Sequence, residues 1–458
     1  MDLKHGKFFV AGTGKSGIAS ANLLLKMESE LILYNSDENT DFDEVSKQLE
    51  STDNVTFLSG EIDKDFFEQS HVDVLVASPG IPLEADFMVK AADANIPIWS
   101  EVELAYVAGK GRVIGITGTN GKTTTTSLVG AIMASYFDDV KVVGNIGIPY
   151  ATTAFDSTDD TVTVAEISSF QLETVHSFNP DVCAILNITP DHLNRHKTME
   201  VYTDCKLRIA KNLDVDEPLI LNYEDEILRE RAGDLNCKLI WFSSKQKVPC
   251  GVYLDDEDIV YFDPDEGDLP IKVCNKNETT LVGIHNLENI MAAVAIAINM
   301  EVPVEKIRES IKKFNAVPHR IEYVNTINDV IYYNDSKGTN TDASIKAIEA
   351  MSRPTILVAG GYDKQVSFDE WADALKGRVK CLVLLGQTSD QIEETVKAKG
   401  FDNVIKVTSI EEAVKKSYES AKPGDAVLLS PACASWGMFD NYEQRGDIFK
   451  ECVNNLEK

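Results

Sequence analysis

Short apolar runs alternate with longer amphipathic stretches through the first hundred residues. The runs at residues 7–11, 31–34, 72–77 and 96–99 have the length and composition of buried strands. Strands that alternate with helices form parallel sheets, because a crossover helix returns the chain to the same edge of the sheet. The pattern therefore predicts an α/β domain with a Rossmann-like, mainly parallel sheet at residues 1–100.

A second set of strands is predicted at residues 112–117, 161–165 and 182–188. Shorter alternating runs then follow one another without long helices, at residues 219–221, 239–242, 252–254 and 259–262. We interpret these runs as an antiparallel side sheet attached to a mainly parallel one. The result is a predicted central domain of the P-loop ATPase type at residues 101–316.

The alternation of strands and helices returns from residue 318 onward. Strands are predicted at 330–334, 355–359, 381–385, 404–407 and 426–429, with amphipathic helices at 343–351 and 410–421. A C-terminal Rossmann-like domain at residues 317–458 is therefore expected. Three domains also agree with the length, since 458 residues divided by about 150 per domain gives three.

The composition is that of a folded, strongly acidic protein. Apolar residues make up 43% of the chain, and 44 Lys+Arg against 74 Asp+Glu give a net charge of −30, which disfavours nucleic-acid partners. The longest apolar run, residues 290–300, is too short to span a bilayer, and no signal-peptide core is evident. We expect a cytoplasmic protein with no membrane partner. Eight cysteines without a Cys-x-x-Cys pair favour reduced thiols over disulfides or structural zinc.

The string GITGTNGKTTTT, residues 115–126, lies between a predicted strand and a predicted helix. Its glycines let backbone N–H groups surround phosphate oxygens, Lys122 adds a full positive charge, and Thr123 can reach Mg²⁺. The spacing differs from the common eight-residue motif, because the earlier glycine is Gly118. The alternative is a glycine-rich turn with an incidental lysine, but the strand, helix and hydroxyls favour a nucleotide cradle.

A second glycine pattern, Gly12-x-Gly14-x-x-Gly17, follows the first predicted strand. The acid that usually binds a ribose is displaced, because the next strand ends in Asn35 and Ser36. A nicotinamide site, a site for another anionic nucleotide, and tight packing of strand against helix all remain open.

Three polar residues of the central domain are further candidates. Glu166 ends a predicted strand, where its carboxylate could hold Mg²⁺, although a solvated acid is the alternative. His192 could bind a metal ion or polarise a substrate, although a loop histidine more often makes a simple hydrogen bond. Lys206 shares the apolar stripe of its helix with Tyr202. It either extends to the surface or is desolvated with a lowered pKa.

Three loops of the last third follow predicted strands: residues 332–340 (YYNDSKGTN), 360–364 (GGYDK) and 430–435 (SPACAS). Taken alone, each is an ordinary loop of an α/β protein. Ligands of open parallel sheets bind at the carboxyl ends of the strands, and nearly every candidate side chain of the chain lies at such an end. We therefore predict that they surround shared ligands.

These strings together resemble the Mur ligases, most closely the D-glutamate-adding members of that family. The GTNGKTT loop is shared within the family and is similar to that of folylpolyglutamate synthases. More particular are SPGI (78–81), GNIG (144–147), AEISSFQLE (165–173), NDSK-x-TN (334–340) and SPACAS. The resemblance covers almost the whole chain and implies that D-glutamate is joined to the alanine carboxylate of UDP-N-acetylmuramoyl-L-alanine, through an acyl phosphate formed from ATP.

The resemblance also implies roles for individual residues. ATP would be held by Gly118, Thr119, Asn120, Gly121, Lys122, Thr123, Thr124, Asn286, Asn289, Arg320 and Asp335. The UDP-linked substrate would contact Thr13, Gly14, Ser78, Gly80, Asn145, Ser168 and His192. D-glutamate would contact Thr339, Lys364, Ser435 and Tyr442.

The implied catalytic groups are Lys122, Glu166, His192, Lys206 and Lys337. Two Mg²⁺ ions would be held by Thr123, Glu166, His192 and a carbamate on Lys206. The expected protein is a monomer with small-molecule substrates. The rivals are another Mur or folylpolyglutamate-type ligase, a nicotinamide-dependent dehydrogenase, and a UDP-sugar sensor without turnover.

Overall fold

The N-terminal sheet has five parallel strands, in the order β3-β2-β1-β4-β5. The computed structural model describes residues 3–145, 147–315, 317–363 and 366–456. The elements of this first part are β1 Lys7–Ala11, α1 Lys15–Lys26, β2 Glu30–Asn35, α2 Phe42–Ser46, β3 Val55–Ser59, α3 Phe66–Ser70, β4 Val74–Ala77, α4 Asp86–Asp93, β5 Ile98–Ser100 and α5 Glu101–Ala108. The strand order reverses between β1 and β4, so the loops that follow these two strands are neighbours.

The middle sheet has nine strands, in the order β14-β13-β12-β11-β10-β9-β6-β8-β7. Its elements are β6 Arg112–Thr117, α6 Lys122–Ala134, β7 Val140–Gly144, α7 Ala151–Ala154, β8 Val162–Glu166, α8 Ser169–Leu172, β9 Val182–Ile185, α9 Leu193–His196, α10 Met199–Leu207, β10 Pro218–Asn222, α11 Glu226–Arg231, β11 Lys238–Ser243, β12 Gly251–Asp255, β13 Asp258–Phe262, β14 Ile271–Asn275, α12 Ile284–Asn299 and α13 Val304–Lys313. Strand β6 lies inside the sheet and is almost wholly buried, which fixes the loop that follows it.

The third sheet has six strands, in the order β15-β16-β20-β17-β18-β19, and only β15 runs antiparallel to its neighbour. Its elements are β15 Glu322–Ile327, β16 Val330–Asn334, α14 Thr341–Ala350, β17 Thr355–Ala359, α15 Asp369–Ala374, β18 Val379–Leu384, α16 Ser389–Ala398, β19 Val404–Lys406, α17 Ile410–Ser420, β20 Ala426–Leu429 and α18 Tyr442–Asn454. The adjacent strands β16, β20 and β17 carry the three polar loops at their carboxyl ends.

The predicted α/β architecture with three mainly parallel sheets is confirmed, and one detail of it is corrected. The runs at 219–221, 239–242 and 252–254 belong to β10, β11 and β12, which continue the parallel part of the middle sheet. Only β13 and β14 are antiparallel, so there is no separate side sheet in the described residues. Periodicity reports which positions are buried but not the direction of a strand.

The described chain divides into two compact units. One unit contains Met1–Glu278 and Glu288–Lys312, and the other contains Thr279–Leu287 and Lys313–Lys458. The domain bounds 1–100, 101–316 and 317–458 stay predictions. All eight cysteines are free thiols, and five of them are buried, as the sequence predicts. Within the described ranges, no helix is both long and apolar enough to cross a bilayer.

Candidate functional site

The loops after β1 and β4 border a cleft of about 770 Å³, to which Gly80 and Asn35 contribute. Asn35 Nδ2 donates a 2.7 Å hydrogen bond to Thr13 Oγ1, which links the first two strand ends. Ser78 Oγ is buried without a hydrogen-bond partner. The Gly14 backbone caps α1 from the same loop. The cleft thus offers polar groups at the strand edge where a nucleotide is predicted.

The predicted phosphate loop follows β6 and leads directly into α6, which begins at Lys122. Gly118 and Gly121 have φ angles of +148° and +85°, which favour glycine. Lys122 Nζ donates to the carbonyl oxygens of Gly118 and Thr119, both at 2.8 Å. Thr123 and Thr124 are buried at the helix start. Strand, glycines, lysine and hydroxyls therefore have the arrangement of a phosphate cradle.

The segment after β9 holds this loop in shape. Asn187 accepts a hydrogen bond from the backbone N–H of Asn120 at 2.8 Å and donates one to its carbonyl at 3.0 Å. Thr119 Oγ1 donates to the carbonyl of Thr189 and lies 3.1 Å from Tyr202 Oη. Since side chains fix both sides of the loop, it is preformed for a ligand.

Lys206 is 1% exposed, so the alternative in which it extends to the surface is wrong. Its Nζ donates to the Gly118 carbonyl at 2.7 Å and lies 4.8 Å from the centre of the Tyr202 ring. Burial lowers the pKa of Lys206 well below 10.5, and the nearby positive charge of Lys122 lowers it further. Two lysines therefore donate to one carbonyl oxygen, and one of them is strongly desolvated.

Glu166 ends β8 next to β6 and β7, so its carboxylate lies at the carboxyl edge of the sheet. Its Oε1 accepts a 2.8 Å hydrogen bond from Asn145 Nδ2, and its Oε2 is buried without a hydrogen-bond partner. A buried carboxylate oxygen without a partner is unfavourable unless a ligand binds it. This oxygen fits the preference of Mg²⁺ for oxygen ligands.

Ser168 begins the short helix α8, and His192 contacts Phe170 of that helix. Ser168 caps α8 in a capping box with Gln171, whose Oε1 accepts from the Ser168 N–H at 2.9 Å. The ring of His192 lies 4.9 Å from that of Phe170, centre to centre. His192 is exposed, with its Nε2 3.5 Å from Asp191 Oδ2. The imidazole is thus accessible to a ligand.

Both predicted asparagine contacts lie on α12. Asn289 Oδ1 occupies the space beside the phosphate loop, since a Cβ at Gly121 would lie only 2.2 Å from it. Gly121 therefore allows the close approach of Asn289 to the loop. Asn286 belongs to the other unit and donates to the carbonyl of Val282 at 2.8 Å.

In the second unit, Asp335 follows β16 and is 5% exposed. Its Oδ2 accepts a 2.7 Å hydrogen bond from Ser430 Oγ, and a Cβ at Gly338 would lie 2.4 Å from it. Burial raises the pKa of Asp335 to about 7, against the opposing effects of Ser430 and of Arg320. Arg320 Nε is buried without a hydrogen-bond partner. A desolvated acid and a guanidinium with an unpartnered Nε thus lie at this strand edge.

Around Asp335, the predicted Lys337 and Tyr442 lie together. Lys337 Nζ is 5.5 Å from the centre of the Tyr442 ring, and His319 is 5.9 Å from that ring. Tyr442 is the first residue of α18. Thr339 donates its N–H to the Lys337 carbonyl at 2.9 Å.

Ser435 is buried in the loop after β20, next to the antiparallel bridge between Tyr362 and Ala434. Lys364, which we predicted to contact D-glutamate, lies outside the described residues.

The structure also identifies site residues that the sequence did not reveal. Arg445 is 1% exposed and donates to Ser336 Oγ, to the Ser336 carbonyl and to the Cys433 carbonyl, which links two of the polar loops. Tyr202, Asn187 and His319 likewise hold predicted residues in place. A Tyr-x-x-x-Lys spacing, which puts Tyr202 and Lys206 on one helix face, was the only available signal.

Three family models match successive parts of the chain. They are the N-terminal domain of MurD-like Mur ligases at residues 6–100, the Mur ligase middle domain at 116–297, and the glutamate ligase domain of Mur ligases at 319–433.

Two whole-chain relatives carry the same name. UDP-N-acetylmuramoylalanine–D-glutamate ligases of Lachnospira eligens and Clostridioides difficile are 50% and 46% identical to this chain, over 100% of each sequence.

Solved structures share the fold at low sequence identity. MurF from Acinetobacter baumannii has a TM-score of 0.60 at 14% identity, covering 98% of this chain and 93% of that one. UDP-N-acetylmuramate-alanine ligase MurC from Thermotoga maritima has a TM-score of 0.59 at 17% identity, covering 98% and 99%. These likenesses extend over all three sheets.

Proposed function

The chain belongs to the Mur ligase family, and from this premise we propose that it joins D-glutamate to the L-alanine carboxylate of UDP-N-acetylmuramoyl-L-alanine, with ATP as the energy source. The observation that carries the proposal is the phosphate loop. There Lys122 and the buried Lys206 donate to the carbonyl oxygen of Gly118, just after β6. The neighbouring strand β8 ends at Glu166. The names of the full-length relatives supply the substrates.

The reaction has two steps. An oxygen of the alanine carboxylate attacks the γ-phosphorus of ATP, the bond to the bridging oxygen breaks, and ADP leaves. The amine of D-glutamate then attacks the acyl carbon, phosphate leaves with the former carboxylate oxygen, and the amine loses a proton. Positioning and charge stabilisation supply most of the rate in such phosphoryl transfers. Such a reaction therefore needs positive charges around a rigid phosphate loop. In this chain Lys122 and Lys206 lie there.

We assign the nucleotide to the phosphate loop, residues 118–124, with Asn289 beside it. Lys122 would leave its two carbonyl partners and bind phosphate oxygens, which are stronger acceptors. Asn286, Arg320 and Asp335 are further proposed contacts of the nucleotide. The unpartnered Nε of Arg320 supports this role, because a phosphate or ribose oxygen would satisfy it.

Thr123, Glu166, His192 and a carbamate on Lys206 are the groups that would hold two Mg²⁺ ions. Bound Mg²⁺ would neutralise charge on the transferring phosphoryl group. The unpartnered Oε2 of Glu166 supports its part in this set. Asn145 orients the carboxylate through its 2.8 Å hydrogen bond to Oε1. His192 is exposed, so its ring nitrogens can be reached by an ion.

The carbamate requires a neutral amine, since the nitrogen lone pair of Lys206 must attack CO₂ and then lose a proton. An ordinary lysine is almost wholly protonated at neutral pH. The lowered pKa of Lys206 supports this chemistry. The carbamate would replace an amine by two oxygen ligands.

The two organic substrates are assigned to different units. Thr13, Gly14, Ser78, Gly80, Asn145, Ser168 and His192 are the proposed contacts of the UDP-linked substrate. Thr339, Lys364, Ser435 and Tyr442 are proposed for D-glutamate, with Lys337 near the reacting groups. We further propose a monomer that works in the cytoplasm in peptidoglycan precursor synthesis.

The proposal is tested by phosphate release from Mg-ATP with a panel of acceptors. Release should require both UDP-N-acetylmuramoyl-L-alanine and D-glutamate, and L-glutamate serves as the matched control. Release that is indifferent to D-glutamate would contradict the proposal. Preference for a folate or for another UDP-peptide would favour a related ligase. A fluorescence titration with NADH tests the dehydrogenase alternative, and we expect no saturable binding.

A further inference from the structure

Three potential metal ligands converge beside α10. The ring of His196 lies 5.2 Å from that of Tyr202, whose Oη lies 3.1 Å from Thr119 of the phosphate loop. Glu173 follows α8, His196 ends α9, and Cys205 lies in α10. One ligand atom from each residue lies within 4.8 Å of the other two. His196 and Cys205 are 3% and 5% exposed. We call this group the Glu173–His196–Cys205 cluster, and no step of the ligase reaction uses it.

The distances in the cluster are close to those of a metal site. His196 Nδ1 lies 3.7 Å from Glu173 Oε1. Around a tetrahedral zinc ion, with bonds of about 2.0 Å to nitrogen or oxygen and about 2.3 Å to sulfur, ligand atoms are separated by roughly 3.3 to 3.6 Å. The longest separation must therefore shorten by only about 1 Å, which side-chain rotations can supply.

Hydrogen bonds from neighbouring residues already orient the three side chains of the cluster. Ser169 Oγ lies 2.9 Å from His196 Nε2, which leaves Nδ1 directed towards Glu173. Metal-binding histidines are usually held in this way through their other ring nitrogen. The Ser169 carbonyl accepts from Cys205 Sγ at 2.9 Å. Arg195 pairs with Glu173 and fixes the plane of its carboxylate, while each oxygen keeps a second lone pair.

An ion can reach the cluster. His196, Cys205 and Glu173 line an open cleft of about 440 Å³, whose wall also carries two acidic side chains, Glu84 and Asp204, and three basic ones, Arg195, Lys197 and Arg208. Loss of the thiol proton gives a ligand set with two negative charges, which balances a divalent ion.

We propose that the Glu173–His196–Cys205 cluster is a site for a thiophilic divalent cation, with Zn²⁺ as the ion that best fits one sulfur, one nitrogen and one oxygen ligand. A water molecule completes the tetrahedron from the cleft. Binding releases the thiol proton to solvent. Mg²⁺ does not compete, because it prefers an octahedron of oxygen ligands. The cluster shares no ligand residue with the sites assigned to the ligase reaction, so its failure leaves the proposed function untouched.

The test is a titration of the full-length protein with Co²⁺ in excess Mg²⁺, followed by Zn²⁺. One equivalent of Co²⁺ should produce a thiolate-to-cobalt charge-transfer band in the near ultraviolet, and Zn²⁺ should abolish it. Cys205→Ser should lose the band. Cys452→Ser, which changes a half-buried cysteine of α18, should keep it. Glu173→Gln should keep the band but bind at least about tenfold more weakly.

Absence of the band in the wild-type protein, or its persistence in Cys205→Ser, would overturn the proposal. Circular dichroism checks that each variant folds. Should Cys205→Ser fail to fold, X-ray absorption at the zinc edge of the wild-type protein decides the question. One sulfur in the first coordination shell supports the site, and a shell of only nitrogen and oxygen overturns it.

Discussion

Two glycine loops of this chain have the same outline and different chemistry. The N-terminal loop follows β1 and the phosphate loop follows β6, and both lead into a helix whose first residue is a lysine, Lys15 or Lys122. Both lie at the carboxyl edge of a parallel sheet, next to the point where the strand order reverses. These backbone features alone therefore do not distinguish the N-terminal loop from the phosphate loop.

The surroundings of the glycines show the difference. A Cβ at Gly17 would lie 1.8 Å from the Gly12 carbonyl oxygen, so this glycine allows α1 to pack against the loop. Nothing lies within 4 Å of a Cβ at Gly14, and Lys15 is exposed. The phosphate loop instead has Lys122 and the buried Lys206 on one carbonyl. Glycine spacing thus predicts backbone geometry, and the cations around it determine phosphate chemistry.

The buried second lysine has no counterpart at the N-terminal loop, so its loss should have the largest effect. We expect Lys206→Ala to reduce phosphate release at least about 10³-fold, because the amine and any carbamate are both lost. Millimolar-scale carboxylic acids should partly restore activity. Lys211→Ala, an exposed neighbour, is the control. Full activity of Lys206→Ala would remove Lys206 from the reaction.

The two helix-starting lysines form a matched pair. Lys122→Met should lower kcat by about 10² to 10³-fold, since a charge next to the transferring phosphoryl group disappears. Lys15→Met should leave kcat within about twofold, and any change should be in the KM of the UDP-linked substrate. Steady-state kinetics of both variants measure this. Equal losses of kcat would erase the distinction between the loops.

The glycines of the N-terminal loop can be compared in the same way. Gly17→Ala should destabilise the protein by about 2 kcal/mol, because its methyl group overlaps backbone that cannot move freely. Gly14→Ala should change stability by less than about 0.5 kcal/mol, since its φ of −79° and open surroundings accept alanine. Thermal unfolding of both variants provides the test, and a stable Gly17→Ala would exclude the packing role.

Glu101 lies outside both glycine loops, and it tests how burial changes the pKa of a carboxyl group. Burial raises the pKa of Glu101 to about 7 from 4.5, although Ala151 N–H donates to it at 2.6 Å. The folded state binds the Glu101 proton more tightly than the unfolded state does. The free energy of unfolding that this group contributes is therefore lost as pH rises from about 4.5 through 7.

Glu101→Gln should therefore unfold at a higher temperature than the wild type at pH 8, by about 1 kcal/mol in stability, and gain less at pH 5. Melting curves at the two pH values measure the difference. An equal gain at both values would contradict the pKa shift.

Much of the fold could be predicted because the interior strands are mostly apolar. The strands β3, β7, β14 and β15 were missed, and each lies at an edge of its sheet. Edge strands expose one side to solvent, so their apolar pattern is interrupted, as in the half-exposed Val55–Ser59. The position of the candidate side chains at carboxyl ends followed from where the predicted strands end along the chain.

The supporting side chains of the site could not be predicted. Asn187 and Arg445 are single residues whose roles depend on loops that lie far apart in sequence. The cluster of Glu173, His196 and Cys205 is spread over three elements, without a spacing that indicates metal binding. Periodicity did predict the inward side of Lys206, because it shares a helix face with buried Tyr202.

The most direct measurement follows the oxygen that the proposed acyl phosphate transfers. UDP-N-acetylmuramoyl-L-alanine labelled with oxygen-18 in the alanine carboxylate is incubated with Mg-ATP, D-glutamate and the protein, and the released phosphate is analysed by mass spectrometry. We predict one labelled oxygen in each phosphate formed with product. Unlabelled phosphate accompanied by normal product formation would contradict the account.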